Sequence, residues 1–163
     1  DYMRKLALAA AMLAGLGGPA AAQDGQGPFM FVTLPDGSAV GWGSLSLDQA
    51  NLVAAGVRFV LYAQPQTQGN MTYRWVAERF YLDCKKMTIM LPAGQFLAED
   101  RAKVGETAYV KDTPIGPGPV DDLLKLSICD GLDITGQQRA GNVYEAMDRA
   151  EAAMKAMQAR QPG

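Results

Sequence analysis

The sequence contains no histidine. This absence excludes the Ser-His-Asp and Cys-His arrangements of nucleophilic catalysis, together with the commonest general base of enzymes. It also excludes zinc and copper sites that use imidazole ligands. The chain has neither a P-loop nor a GxGxxG sequence, which are glycine-rich signatures of nucleotide binding. We therefore predict no catalytic residue, no metal ligand and no cofactor.

An excess of charge of one sign is also absent. Lys and Arg together number 15, Asp and Glu number 17, and the net charge is −2. No basic stripe or run of like charges occurs along the chain. Nucleic acid and anionic lipid are therefore poor candidates for partners.

Cysteine is scarce, with only Cys84 and Cys129 in the chain. Their separation of 45 positions fits neither a zinc-finger spacing nor a CxxC redox motif. An even number of cysteines in an exported protein indicates a disulfide bond. Two buried free thiols are the alternative.

The N-terminus has the composition of a secretory signal peptide. Arg4 and Lys5 give a positive start, residues 6–16 form a short apolar stretch, and residues 20–22 are three alanines suited to signal peptidase. We expect cleavage before Gln23, with an uncleaved anchor as the alternative. No apolar run of about 20 residues follows, so we expect no transmembrane span after cleavage. The protein is predicted to be exported, to the periplasm or outer surface of a bacterial envelope.

Alternating hydrophobicity and turn residues predict a series of strands beyond the signal peptide. A polar loop is expected over 65–70, and the Pro-Ala-Gly sequence at 92–94 predicts a tight reversal that pairs the next strand antiparallel. The predicted strands are 29–34, 57–63, 71–84, 86–91, 95–99 and 107–111, and 39–45 is at best a weak or bulged strand because two glycines flank Trp42.

Helices are predicted in three places. Ser46 and Gly56 are suited to begin and end a short helix over 46–55. A short helical turn is expected over 123–126, and a tail helix over 142–160. The fold class is therefore α+β: a small antiparallel β-sheet of five or six strands, a short helix, one disulfide and a C-terminal amphipathic helix. The predicted segments are a signal peptide at 1–22, a lead-in at 23–28, a domain at 29–133 and a helical extension at 134–163.

The strand over 71–84 carries candidate binding residues. Its alternation places Tyr73, Trp75, Arg79 and Tyr81 on one face, and Tyr62 and Val60 of the preceding strand would extend that face. Aromatic residues and arginine are enriched at binding hot spots. We interpret the face as a recognition or dimerisation surface. The alternative is that the N-terminal strand or the tail helix packs over it.

The tail helix carries a second set of candidates. Apolar residues spaced four, three, four and three apart form a heptad-like seam. The seam predicts either a partner helix in a homodimer or larger assembly, or a helix that docks on its own domain. Its members are Val143, Met147, Ala150, Met154 and Met157, of which all but the alanine are candidate binding residues.

Two further classes of function require features that the sequence does not supply by itself. A carboxylate-based hydrolase or lyase would need two aspartates to converge in a deep pocket, and a small-molecule carrier would need an apolar cavity inside the sheet. The aspartates available for the first are Asp83, Asp100, Asp121, Asp122 and Asp130.

Two segments resemble the surface-adhesin E-like family of bacterial envelope proteins. They are TYRWVAERFYLDCKKMTIMLPAGQFL at 72–97 and TPIGPGPVDDLLKLSIC at 113–129. The resemblance implies a small antiparallel sheet with helix packing, and a disulfide that ties Cys84 of the aromatic strand to Cys129. The family prototype binds host matrix proteins and can dimerise. This chain differs from the family in its tail helix and in lacking a lipid-attachment cysteine.

These observations together predict an exported, non-enzymatic protein-binding module. Its partner would be a second copy of the chain or a subunit of an envelope complex, held by the sheet face and the tail helix. The alternative within the same class is an accessory subunit of a larger envelope or membrane complex.

Overall fold

The computed structural model describes residues 28–48 and 50–161, and it describes no side chains for residues 44–47. The predicted signal peptide and its cleavage site lie outside the described residues. Within those residues, no helix is both long enough and apolar enough to cross a membrane. The strands are β1 Phe29–Thr33, β2 Ala39–Asp48, β3 Val53–Gln68, β4 Met71–Asp83, β5 Thr88–Leu91, β6 Gly94–Leu97, β7 Lys103–Glu106, β8 Val110–Pro114 and β9 Gln138–Ala140. The helices are α1 Pro119–Leu124, a π-helical turn Lys125–Cys129, and α2 Val143–Ala159.

The nine described strands form one sheet built as an antiparallel meander, which confirms the predicted α+β class. β5 and β6 both pair with β4, one after the other, and β8 and β7 pair with them in turn. Residues 88–97 therefore form one interrupted strand beside β4. Residues 103–114 form a second interrupted strand beside the first. The short β9 returns to pair with β1 at the opposite edge.

Three predicted features of the sheet region are wrong. The predicted loop over 65–70 is largely strand, because β3 continues to Gln68 before it turns into β4. The predicted reversal at 92–94 does not pair its flanking strands with each other, since β5 and β6 run in the same direction along β4. The predicted strand over 107–111 is instead the gap between β7 and β8 together with the start of β8.

The predicted helix over 46–55 is also wrong, because the residues form a β-hairpin between β2 and β3. Leu47 pairs with Ala54, and Asp48 pairs with Val53. The Asp48 carboxylate accepts hydrogen bonds from the backbone N–H groups of Ala50 and Asn51, so it closes a turn rather than a helical first turn.

One face of the sheet is covered by α2, and we call this the helix side. The Asn142 side chain accepts a hydrogen bond from the Glu145 backbone N–H, and Glu145 Oε2 accepts one from the Gly141 N–H, which caps the helix start. A single apolar cluster joins the helix to the sheet. Its fully buried members include Phe31, Phe59, Leu61, Trp75, Leu97, Val143 and Met147.

The other face is covered by α1 and the π-helical turn, and we call this the disulfide side. Cys84 and Cys129 are bonded there, which confirms the predicted pairing and removes the alternative of two free thiols. Trp42 Nε1 donates a hydrogen bond to Ser127 Oγ at 2.9 Å, so the turn is also tied to β2. The buried apolar residues beneath it include Val40, Trp42, Phe80, Leu82, Ile89 and Leu124.

Candidate functional site

A bulge between β3 and β4 decides which aromatic residues can form a site. Leu61 pairs with Trp75, and the next paired residues are Gln66 and Tyr73. Residues 62–65 of β3 therefore stand opposite the single residue Arg74. An irregularity of this kind breaks the alternation of side chains between the two faces of a sheet.

The bulge places Tyr73 on the disulfide side, away from Trp75. Its ring packs against Tyr62 with 5.8 Å between centroids and against Phe96 at 4.6 Å. The first pair is edge-to-face and the second is tilted, geometries that aromatic rings favour. All three side chains are half-buried. We call these residues the aromatic cluster.

A groove continues from the aromatic cluster along the same face of the sheet. It lies between α1 and strands β1 to β3, has a volume of about 490 Å³, and we call it the sheet groove. Polar side chains stand along it, among them Asp36, Ser38 and Gln66. Its apolar lining comes from Leu34, Val40, Val60, Tyr62, Pro119 and Val120.

An ion-pair network holds α1 over one side of the groove. Arg58 is 8 % exposed, and its guanidinium lies 3.0 Å from Glu78 Oε2 and 2.8 Å from Asp121 Oδ1. Buried charges require partners of this kind because desolvation is costly. The network links β3, β4 and α1, so the wall of the groove that α1 forms is fixed against the sheet.

Tyr62 lies where the groove meets the aromatic cluster. Burial raises the pKa of the Tyr62 phenol, the nearby Tyr73 and Glu78 raise it further, and Arg58 opposes them. Tyr62 therefore stays neutral at physiological pH. It offers a hydroxyl beside an apolar ring, a combination that is common at binding surfaces.

The structure does not place Trp75 on a binding surface. Its side chain is 0 % exposed, and its ring packs edge-to-face on Phe59 at 5.7 Å. The Arg101 guanidinium lies 5.1 Å from the centre of the indole. Trp75 Nε1 has no hydrogen-bond partner among the described residues. This corrects the interpretation of Trp75 as a recognition residue, because α2 and the β6–β7 turn enclose it.

Arg79 and Tyr81 stay on the helix side, as their register opposite Val57 and Ala55 requires. Tyr81 is 6 % exposed and packs with Met90 and Ala55. Burial lowers the pKa of Arg79 and raises the pKa of Tyr81. The four residues expected on one face are therefore not together, because the bulge sends Tyr73 to the other side.

The apolar seam of the tail helix lies mainly inside the protein. Val143, Met147 and Met154 are each at most 2 % exposed, and Met157 is half-buried. The helix docks on its own sheet, which is the alternative that the sequence left open. These three side chains are consequently core residues and offer no surface to a partner in this structure.

The candidate carboxylates each have local roles. Asp121 pairs with Arg58, and Asp130 pairs with Lys125 at 3.1 Å. Asp83 accepts backbone hydrogen bonds from residues 85 and 86, and Asp100 accepts one from residue 102. Asp122 is exposed near the start of α1. No group of three or more Cys, Asp or Glu side chains suited to a metal ion occurs in the part of the chain that the structure describes.

Sequence reasoning missed Phe96 and the α1 residues Pro119 and Val120. Phe96 lies on a four-residue strand that pairs with β4 and not with the strand before it, so the sequence does not predict the face on which Phe96 lies. Pro119 and Val120 reach the groove through contacts that are distant in sequence, among them the ion pair between Arg58 and Asp121 and the packing of Leu124 in the core. A local sequence pattern contains no signal for that contact.

No protein-family profile, no curated protein and no solved structure matches the chain.

Proposed function

We propose that the protein is an exported, non-enzymatic protein-binding module of the bacterial periplasm or cell surface. The partner is held on the disulfide side of the sheet, by the aromatic cluster and the sheet groove. The observation that supports this proposal most is the continuity of three half-buried aromatic rings with an apolar groove of about 490 Å³.

The extent of this surface favours a protein partner over a small molecule. The partly exposed side chains of Val60, Tyr73 and Phe96 lie on three successive strands of one face. Neighbouring strands are about 4.8 Å apart, so these side chains extend roughly 10 Å across the sheet, and the sheet groove continues the surface beyond them. Aromatic side chains surrounded by polar groups are typical of the energetically important centre of a protein interface.

The disulfide and the N-terminal sequence support export. Disulfides persist in oxidising compartments such as the bacterial periplasm, and Cys84 is bonded to Cys129. The apolar stretch at 6–16 and the small residues at 20–22 have the order of a cleavable signal. The resemblance to surface-adhesin E-like proteins would agree with this location.

The tail helix has a supporting role in this proposal. Val143, Met147 and Met154 are buried against the sheet, so the tail helix covers the helix side. The partner, whether a second copy or a subunit of an envelope complex, then meets the opposite face.

The proposal is tested by photo-crosslinking in the intact cell envelope. A photoreactive phenylalanine analogue is placed at Tyr73 in one variant and at Tyr109 in the other, since Tyr109 is 60 % exposed on the edge of the sheet between β7 and β8. We expect a discrete protein adduct from position 73 and none from position 109. Absence of an adduct at position 73, or equal adducts at both positions, would overturn the proposal.

A further inference from the structure

A second pocket lies on the helix side, where the C-terminal end of α2 meets the bulge of β3. Its volume is about 450 Å³. It is built around the guanidinium of Arg74, and we call it the Arg74 pocket. The remaining lining is mainly polar and consists of Gln64, Glu99, Met154, Lys155, Gln158 and Gln161.

The Arg74 side chain is buried and held in one orientation. It is 7 % exposed. Nε donates to the carbonyl oxygen of Tyr62 at 2.6 Å, and Nη2 donates to that of Ala63 at 2.8 Å. Nη2 also lies 3.3 Å from Met154 Sδ. The bulge supplies these carbonyl groups because its residues do not pair with β4. The guanidinium is therefore preorganised by the backbone.

The third nitrogen of the guanidinium is left with donor capacity. Arg74 Nη1 is 3.8 Å from Glu99 Oε1, which is an ion-pair distance but too long for a hydrogen bond. The Glu99 side chain is 70 % exposed. The hydrogen bonds that Arg74 makes to the described residues use Nε and Nη2, and none of them uses Nη1. A fixed cation with two unused N–H groups therefore faces the pocket.

The second cation of the pocket is Lys155, which makes one long ion pair. Lys155 Nζ is 3.6 Å from Glu151 Oε2, and the Lys155 side chain is 64 % exposed. Arg74, Lys155 and Glu99 together give the pocket lining a formal charge of +1, which matches a singly charged anion. The glutamines at positions 64 and 161 add neutral hydrogen-bonding groups.

We propose that the Arg74 pocket binds the carboxylate of a small organic acid. The carboxylate accepts hydrogen bonds from Arg74 Nη1 and takes the place of Glu99, while Lys155 provides a second, exposed cation. Hydrogen bonds from a guanidinium N–H to a carboxylate are charge-assisted and therefore stronger than neutral ones. The volume lies within the range of small-molecule sites. The Arg74 pocket and the sheet groove open on opposite sides of the β3 bulge and share the lining residue Gln64. The inference does not depend on the proposed protein partner, because it rests on Arg74 Nη1 and Lys155, which do not line the groove.

The test is a titration of the folded protein followed by the ¹⁵N resonance of the Arg74 side chain. Sodium acetate and sodium succinate are the probes, and sodium chloride at the same ionic strength is the control. We expect a saturable shift with the carboxylates and none with chloride. An equal shift with chloride, or no saturation, would show that the pocket has no carboxylate site.

Two pairs of variants separate this site from general charge effects. Glu99→Gln should tighten binding of acetate by roughly fivefold because it removes a competing negative charge, and Lys155→Gln should weaken binding by a similar factor. The matched controls are Glu106→Gln and Lys103→Gln, which alter an exposed ion pair on β7. Equal effects of test and control variants, or weaker binding in Glu99→Gln, would overturn the proposal.

Discussion

Tyr73 and Trp75 are two positions apart, yet they face opposite sides of the sheet. Strict alternation would place them on the same face. The bulge opposite Arg74 removes that relation, so one ring joins the aromatic cluster and the other joins the core. The two residues are consequently expected to respond differently to truncation.

Trp75→Ala should lower the free energy of unfolding by about 3–5 kcal/mol, because it removes a fully buried indole that packs on Phe59. Tyr73→Ala serves as the matched variant and should lower the free energy of unfolding by less, since the Tyr73 ring is half-buried. Urea denaturation measures both. A Trp75→Ala protein as stable as the Tyr73→Ala protein would contradict this assignment of core and surface.

The Cys84–Cys129 bond closes a loop of about 46 residues, for which loop-closure entropy predicts a stabilisation of roughly 4 kcal/mol. The double variant Cys84→Ser/Cys129→Ser should lose about that amount and should no longer respond to a reducing agent. Thermal unfolding with and without dithiothreitol measures the difference. Equal melting temperatures for the wild type under both conditions would argue against a stabilising bond.

Among the elements, the β1–β2 turn makes the free energy of unfolding depend on pH. The Ser38 hydroxyl and backbone N–H both donate to Asp36, and these hydrogen bonds lower the pKa of its carboxyl. A carboxyl with a lowered folded-state pKa stabilises the protein above its unfolded-state pKa, and that contribution is lost as the pH falls through the folded-state value.

Asp36→Asn keeps an acceptor in the turn and removes the titration. The difference in unfolding free energy between pH 7 and pH 2.5 should therefore be smaller in this variant than in the wild type. Urea denaturation at the two pH values measures it. An unchanged difference would show that Asp36 does not contribute to the acid sensitivity of the fold.

The tail helix is a structural element of the core. Deleting residues 142–160 removes Val143, Met147 and Met154 and exposes Phe31 and Phe59 of the sheet. We expect the truncated protein to lose cooperative thermal unfolding and to aggregate. A soluble monomer with a native near-ultraviolet circular dichroism spectrum would contradict the assignment of α2 to the core.

For the whole molecule, the sequence predicts the class of fold better than the arrangement of its surfaces. The alternation along β4 and the two cysteines are local or compositional signals, and both lead to the correct sheet and disulfide. The hairpin at Asp48 does not follow from the sequence, because serine, aspartate and glycine favour both helix ends and turns.

The candidate site depends on contacts that are distant in sequence. The wall of the sheet groove that α1 forms is held partly by Arg58 and Asp121, which join β3 to α1 across 63 positions. The aromatic cluster exists because a bulge redirects Tyr73 toward Phe96. Neither relation follows from the period of a single strand or helix, so the sequence alone predicts aromatic candidates without showing which of them share a face.

The central claim is that the disulfide side of the sheet, and not the tail helix, holds a protein partner. The most direct measurement is the native size of the 17.4 kDa chain in a mild detergent extract of the cell envelope, compared among wild type, Tyr73→Ala and Tyr109→Ala. We expect wild type and Tyr109→Ala to elute as a complex larger than the monomer, while Tyr73→Ala elutes as a folded monomer. A wild-type monomer, or a Tyr73→Ala complex of unchanged size, would contradict it.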